Sequence, residues 1–230
     1  KQPTFHQRFG TERAVLMGDY FYAAAFAMVA ALRQAEVTAC LAEVCQQMSR
    51  GEFLEVESRY RVDLTEPEYL AIIRDKTASL IAASCRTGAL LAGAPPAAVE
   101  RLASFGWAMG MAFQIMDDCL DLIGEEELVG KLLRSDLEKG SLSLPIIYLS
   151  ASLTPAQRQE LFEPVLRRSP DDAFLARVAQ EANRSGAVRQ ALRTAERYIE
   201  DANQAIAPEE GIAMVEAYRQ LARYAIERVQ

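Results

Sequence analysis

The chain has 230 residues, half of them hydrophobic and a quarter charged, enough to bury a core without disulfide or metal staples. Its 25 Lys and Arg against 32 Asp and Glu leave a formal net charge of -7. That balance excludes a nucleic-acid binder and a polybasic membrane anchor, both of which rest on clustered positive charge; it would also repel a phosphate-bearing substrate unless a divalent cation intervened.

Helical periodicity runs along nearly the whole chain, with no alternating strand. Residues 12–35 are rich in Ala, Leu and Met, good helix formers, and residues 37–58 continue in the same style with Gly51 as a local weak point. Thr65-Glu66-Pro67-Glu68 starts the next helix: a capping hydroxyl, early acids and a proline in the first turn. It runs to about Leu91 and stops at Ala92-Gly93-Ala94. Pro95-Pro96 opens a helix that continues to about Ile123, and Gly124 to Gly140 reads as a charged loop. Shorter amphipathic helices follow at 143–152, 155–167, 171–184, 187–205 and 209–229. With no Ser/Gly linker, residues 1–230 are expected to form a single all-α domain, a bundle of long antiparallel helices around a central cavity.

The four cysteines, Cys40, Cys45, Cys85 and Cys119, lie in apolar helical contexts without a CxxC pair, as expected of buried thiols in a reducing compartment. The first residues lack the apolar core of a signal peptide, and charges or polar groups are expected to interrupt every run approaching the roughly 20 residues of a membrane span. The chain reads as soluble and cytoplasmic. His6 reads as part of a surface loop, and Trp107 as core.

The most informative stretch is Phe105 to Asp121, where apolar residues surround three aspartates. At roughly 100° per residue, Gly106, Gly110, Gln114, Asp117 and Asp121 fall in one stripe about 80° wide, with Asp118 at its edge. Crowded carboxylates repel, and two interior glycines cost roughly 1 kcal/mol each. Both features make sense if the stripe faces a cavity: the glycines leave room for a ligand, and the carboxylates Asp117, Asp118 and Asp121 hold a hard divalent cation such as Mg²⁺. An exposed acidic turn is the competing reading. Lys76, on the helix from 67 to 91, has Ile72, Ile73 and Leu80 as helical neighbours, so its ammonium either snorkels outward or meets an anion. The loop after the acidic helix carries Lys131, Arg134 and Lys139, either solvated or placed to hold a phosphate that the metal also holds.

Phe113-Gln114-Ile115-Met116-Asp117-Asp118-Cys119-Leu120-Asp121 resembles the second aspartate-rich motif of the trans-isoprenyl diphosphate synthase (polyprenyl synthetase) family. Gly130-Lys131, Ser135-Asp136-Leu137 and Leu144-Pro145 are similar to the loop that follows it. Val15 to Tyr20, Gly51 to Glu55 and Lys76 to Ile81 resemble further signatures in the expected order. The resemblance implies a transferase that condenses isopentenyl diphosphate with an allylic prenyl diphosphate after Mg²⁺-assisted ionisation of the allylic diphosphate. It implies Asp117, Asp118 and Asp121 as metal carboxylates, and Lys76, Thr77, Gln114 and Lys131 beside the diphosphate, with Asp117, Asp118 and Lys76 serving catalysis. It further implies a homodimer, with the helices at 12–35 or 37–58 as the interface. A non-catalytic subunit of a heteromeric synthase is the alternative.

Two departures stand out. Lys1-Gln2-Pro3-Thr4-Phe5 resembles the residues that follow the family's first aspartate-rich motif and its Arg-Arg-Gly segment, so the chain is expected to lack that front part and to be inactive as it stands. Ser141 stands where many relatives carry a lysine, with Lys139 two residues earlier.

Overall fold

The computed structural model describes residues 3–123, 135–207 and 213–227, and among these it is helical without a strand. Its contacts group into two compact units, Lys1–Cys45 and Gln46–Gln230.

The first unit holds α1 (Phe5–Phe9), α2 (Thr11–Ala31) and the start of α3 (Ala35–Ser58). His6 lies in α1 rather than in a loop, because Thr4 is extended and its N–H donates to the Gln7 side chain at 2.9 Å, opening a helical turn that Gly10 ends at φ +86°. No residue of α2 is buried, and Val15, Leu16, Tyr20, Phe21 and Met28 are each at least 60% exposed. Among the described residues α2 is the one helix long and apolar enough to cross a membrane by length and composition. The expected interruption by charge fails there, since Asp19 is the single charged residue between Ala14 and Ala31.

The second unit continues with α4 (Glu66–Ile73), a π-helical turn (Arg74–Ala78), α5 (Ser79–Leu91), α6 (Pro96–Ile123), α7 (Ser135–Glu138), α8 (Leu144–Ser152), α9 (Pro155–Leu161), α10 (Glu163–Leu166), α11 (Asp172–Arg184), α12 (Ala187–Ile206) and α13 (Ala213–Glu227). At its centre is α6, which packs chiefly on α12 and α5. The facing stripe of α12 is made of small residues, with Ala191, Ala195 and Ala202 at 0% exposure, so the two helices approach closely. Large side chains such as Phe105, Met111, Ile115 and Phe162 fill the remaining volume, each stabilising by about 1.5–3 kcal/mol. Trp107 stands at the margin of this core, 36% exposed and edge-on to Tyr198 with ring centroids 5.6 Å apart, where core was expected.

Three further local differences have physical causes. The stretch read as a loop from 124 to 140 contains the helical turn α7. The segment read as one helix over 155–167 divides at Phe162, because Pro164 in the first turn of α10 has no N–H to continue α9. And the helix expected over 67–91 contains the π turn, which spends an extra residue in one turn. An α-helix carried on from Ile73 would keep Lys76 and Leu80 on the apolar line. The π turn instead buries Ala78 and Ser79 and leaves Leu80 42% exposed.

Beyond α3 the chain is pinned to the segment after α7. Tyr60 has φ +65°, its N–H donates to the Gly140 carbonyl at 2.7 Å, and the Arg168 guanidinium lies 4.8 Å from its ring centroid. Gly140 needs its lack of a side chain twice over: φ is +83°, and a Cβ would stand 2.4 Å from the Tyr60 ring.

Candidate active site

The polar residues picked out by the sequence come together where α4, the π turn and α6 meet. α4 is launched by Glu68, whose carboxylate accepts from the Thr65 N–H at 2.9 Å and the Thr65 hydroxyl at 2.7 Å. Those bonds, with Arg61, hold the Glu68 acid down to about 2. In the same turn, buried Tyr69 donates its hydroxyl to Asp118 Oδ2 at 2.7 Å. The other oxygen of Asp118 accepts from Gln114 Nε2 at 2.8 Å, and Gln114 Oε1 accepts from the Thr77 hydroxyl at 2.8 Å. One hydrogen-bonded line therefore joins α4, α6 and the π turn.

Burial pushes the Asp118 carboxyl up to about 7, and the charges of Asp136 and Asp117 push the same way, against the bonds from Tyr69 and Gln114. Burial, and then the charge of Asp118, raise the Tyr69 phenol well above its usual value, so it remains a donor.

Lys76 meets carboxylates. Its ammonium is hydrogen-bonded to Glu55 and lies 3.6 Å from Glu52, both on α3. Burial works against the charged amine, yet Glu55, Glu52 and Asp136 together raise its pKa above the ordinary lysine value. Next to it Asp75, with its side chain 3% exposed, accepts from Arg50 Nε at 2.6 Å and Arg74 Nε at 2.8 Å.

The glycines of the stripe do not leave room for a ligand. A Cβ on Gly110 would fall 2.6 Å from Ala78 Cα, and one on Gly106 would fall 2.8 Å from the Ile81 carbonyl oxygen. Both let α6 lie against the π turn and α5, which brings Gln114 within reach of Thr77. Gly51, read as a weak point, is likewise a close-approach position inside an unbroken α3.

Among the described residues no group of three or more His, Cys, Asp or Glu side chains is gathered to hold a metal ion. Both oxygens of Asp118, one of the three expected ligands, already accept hydrogen bonds. Asp117 and Asp121, four residues apart on α6, supply the hard oxygen chemistry that suits a divalent cation. Lys131 and Arg134 lie outside the described residues. Glu55, Tyr69 and Asp136 had no assigned role in the sequence reading. A tyrosine breaking an otherwise apolar helix stripe was the available signal for Tyr69, and an acid amid three basic residues the signal for Asp136.

A family model described as polyprenyl synthetase matches residues 1–182. The chain is 36% identical over 226 residues to heptaprenyl diphosphate synthase component 2 of Geobacillus stearothermophilus, covering 97% of this chain and 68% of that one. A decaprenyl diphosphate synthase structure from Rhodobacter capsulatus matches with a TM-score of 0.92 at 29% identity, over 100% of this chain and 70% of that one. A polyprenyl synthase from Caulobacter crescentus, complexed with calcium and isoprenyl diphosphate, matches with a TM-score of 0.92 at 31% identity, over 96% and 67%. The aspartate helix, the Lys76-Thr77 turn and the helical architecture thus sit within a shared sequence and fold, and the chain belongs to the polyprenyl synthetase family.

Proposed function

We propose that the chain acts as a trans-prenyltransferase, which lengthens an allylic prenyl diphosphate by condensation with isopentenyl diphosphate. The observation that carries this reading is the Thr77–Gln114–Asp118 line, whose Gln114 and Asp118 share α6 with Asp117 and Asp121. It is supported by the Caulobacter relative, which holds a divalent cation and an isoprenyl diphosphate.

In this reading Asp117 and Asp121 would hold Mg²⁺, and Asp118 fixes the Gln114 amide beside them. When bound, the cation supplies Lewis-acid neutralisation of the charge that builds on the departing diphosphate. Lys76 and Lys131 add positive charge to the same leaving group, Lys76 exchanging its carboxylate partners for phosphate oxygens. Thr77 and Gln114 bind beside the diphosphate, their orientation set by the bond between them.

The exposed apolar side of α2 supports association with a second copy. The word component in the name of the Geobacillus relative favours a second reading, one subunit of a heteromeric synthase, catalytic or regulatory. The acidic charge and the four cysteine thiols suit a cytoplasmic location.

Incubating the full-length protein with Mg²⁺, radiolabelled isopentenyl diphosphate and a series of allylic primers tests this. Longer prenyl diphosphates are expected, and Asp117→Ala is expected to abolish them without unfolding the protein. No elongation with any primer, alone or with a candidate partner subunit, overturns the catalytic reading. Sedimentation velocity separates monomer from self-assembly.

A further inference from the structure

We propose that Tyr69 is a positioning residue that sets the polarity of the Gln114–Thr77 pair through Asp118. The inference rests on the transferase reading for its consequence in catalysis, but its structural content does not.

The geometry leaves one assignment. Tyr69 donates to one oxygen of Asp118 at 2.7 Å and Gln114 donates to the other at 2.8 Å, so both oxygens act as acceptors. With its NH₂ end committed to Asp118, the Gln114 amide has its carbonyl left for the neighbour on the other side. The amide carbonyl is then turned toward Thr77, and it takes the one hydrogen of the Thr77 hydroxyl at 2.8 Å. Without the Tyr69 hydroxyl, Asp118 Oδ2 loses its donor in a site where the residue is 6% exposed, and the carboxylate gains by rotating to share Gln114 or to draw in water. Either change frees the amide to reverse. Tyr69 is itself 4% exposed and is held at the first turn of α4, its N–H donating to the Thr65 carbonyl at 3.0 Å, so it has little freedom to move instead.

The test is a Tyr69→Phe and Asp118→Asn double-mutant cycle in the full-length protein, read in two ways. In the metal-free protein, the side-chain amide resonances of Gln114, assigned with Gln114→Ala, are expected to shift in Tyr69→Phe while the melting profile stays cooperative. In turnover, Tyr69→Phe is expected to lower kcat roughly tenfold with KM for the allylic diphosphate changed less than about twofold, and to cost less than about twofold when Asp118 is already Asn. Unmoved Gln114 resonances, or a Tyr69→Phe cost equally large in both backgrounds, overturn the proposal. Should Tyr69→Phe not fold, the Gln114 resonances of Asp118→Asn decide alone: unchanged, they overturn it. A protein that elongates no primer refutes the transferase reading and leaves the metal-free resonance test standing.

Discussion

Gly51 and Lys76 touch through their backbones: a Cβ on Gly51 would stand 2.5 Å from the Lys76 nitrogen and 2.9 Å from its α-carbon. Main-chain atoms cannot swing aside as a side-chain tip can. Gly51→Ala is therefore expected to destabilise the protein by about 1–3 kcal/mol through overpacking. Gly88, also inside a helix, has nothing within 4 Å of its would-be Cβ, so Gly88→Ala is expected to stabilise by up to about 1 kcal/mol. Urea denaturation of both variants should give opposite signs.

Gly110→Ala presses on Ala78 Cα at 2.6 Å and is expected to push α6 away from the π turn. That parts Gln114 from Thr77, so kcat should fall by roughly tenfold or more along with a stability loss of about 1–3 kcal/mol. Adding Ala78→Gly should restore neither, because the obstructing α-carbon remains; recovery in the double variant would place the conflict at the side chain instead.

Asp75 gives a dependence on acid. Burial alone would raise its pKa, but hydrogen bonds from Arg50 and Arg74 outweigh burial and hold it below the ordinary carboxylate range. The folded state thus binds fewer protons than the unfolded one, whose Asp titrates near about 3.9. Its stabilisation is complete well above that value and is lost as pH falls through it toward the lower folded pKa. Asp75→Asn is expected to cost about 1–2 kcal/mol at neutral pH, discounted for the exposed guanidinium ends. The gap to wild type should close toward pH ~3 in denaturant titrations.

Glu55→Gln removes the nearer carboxylate from Lys76. Burial then weighs more heavily, and the Lys76 pKa is expected to fall. Inorganic diphosphate should bind the metal-free protein roughly threefold to tenfold more tightly, the scale of a half-exposed ion pair worth about 1 kcal/mol. Calorimetry with Glu55→Gln beside Lys76→Met distinguishes this from nonspecific anion binding, since the second variant should lose the affinity.

Much of the fold was legible because the signals were local. Thr65 and Glu68 mark a helix start in four residues, and the prolines mark others. The aspartate helix was also legible, through charges placed where burial penalises them. What escaped was set by long-range contact. The glycine stripe has the same spacing whether it opens a cavity or admits a neighbouring backbone, and only the position of Ala78 and Ile81 decides. Asp118 and Tyr69 are 49 residues apart in the chain, so their bond leaves no periodic trace. Lys76 was placed on an apolar face by counting 3.6 residues per turn across a segment that does not keep that count.

The π turn also makes segment length a functional quantity. Because this turn already holds one residue more than an α turn, removing one residue between Arg74 and Ala78 would let the segment relax to an ordinary helix and keep the residues after it on their present faces. Ser79 and Ala89 would stay on the core side, whereas a one-residue deletion within the regular helix of α5 would turn everything after it by about 100°. Single-residue deletions here should therefore be tolerated better than deletions within α5, and a one-residue gap that a sequence alignment opens in this stretch would leave the downstream faces aligned.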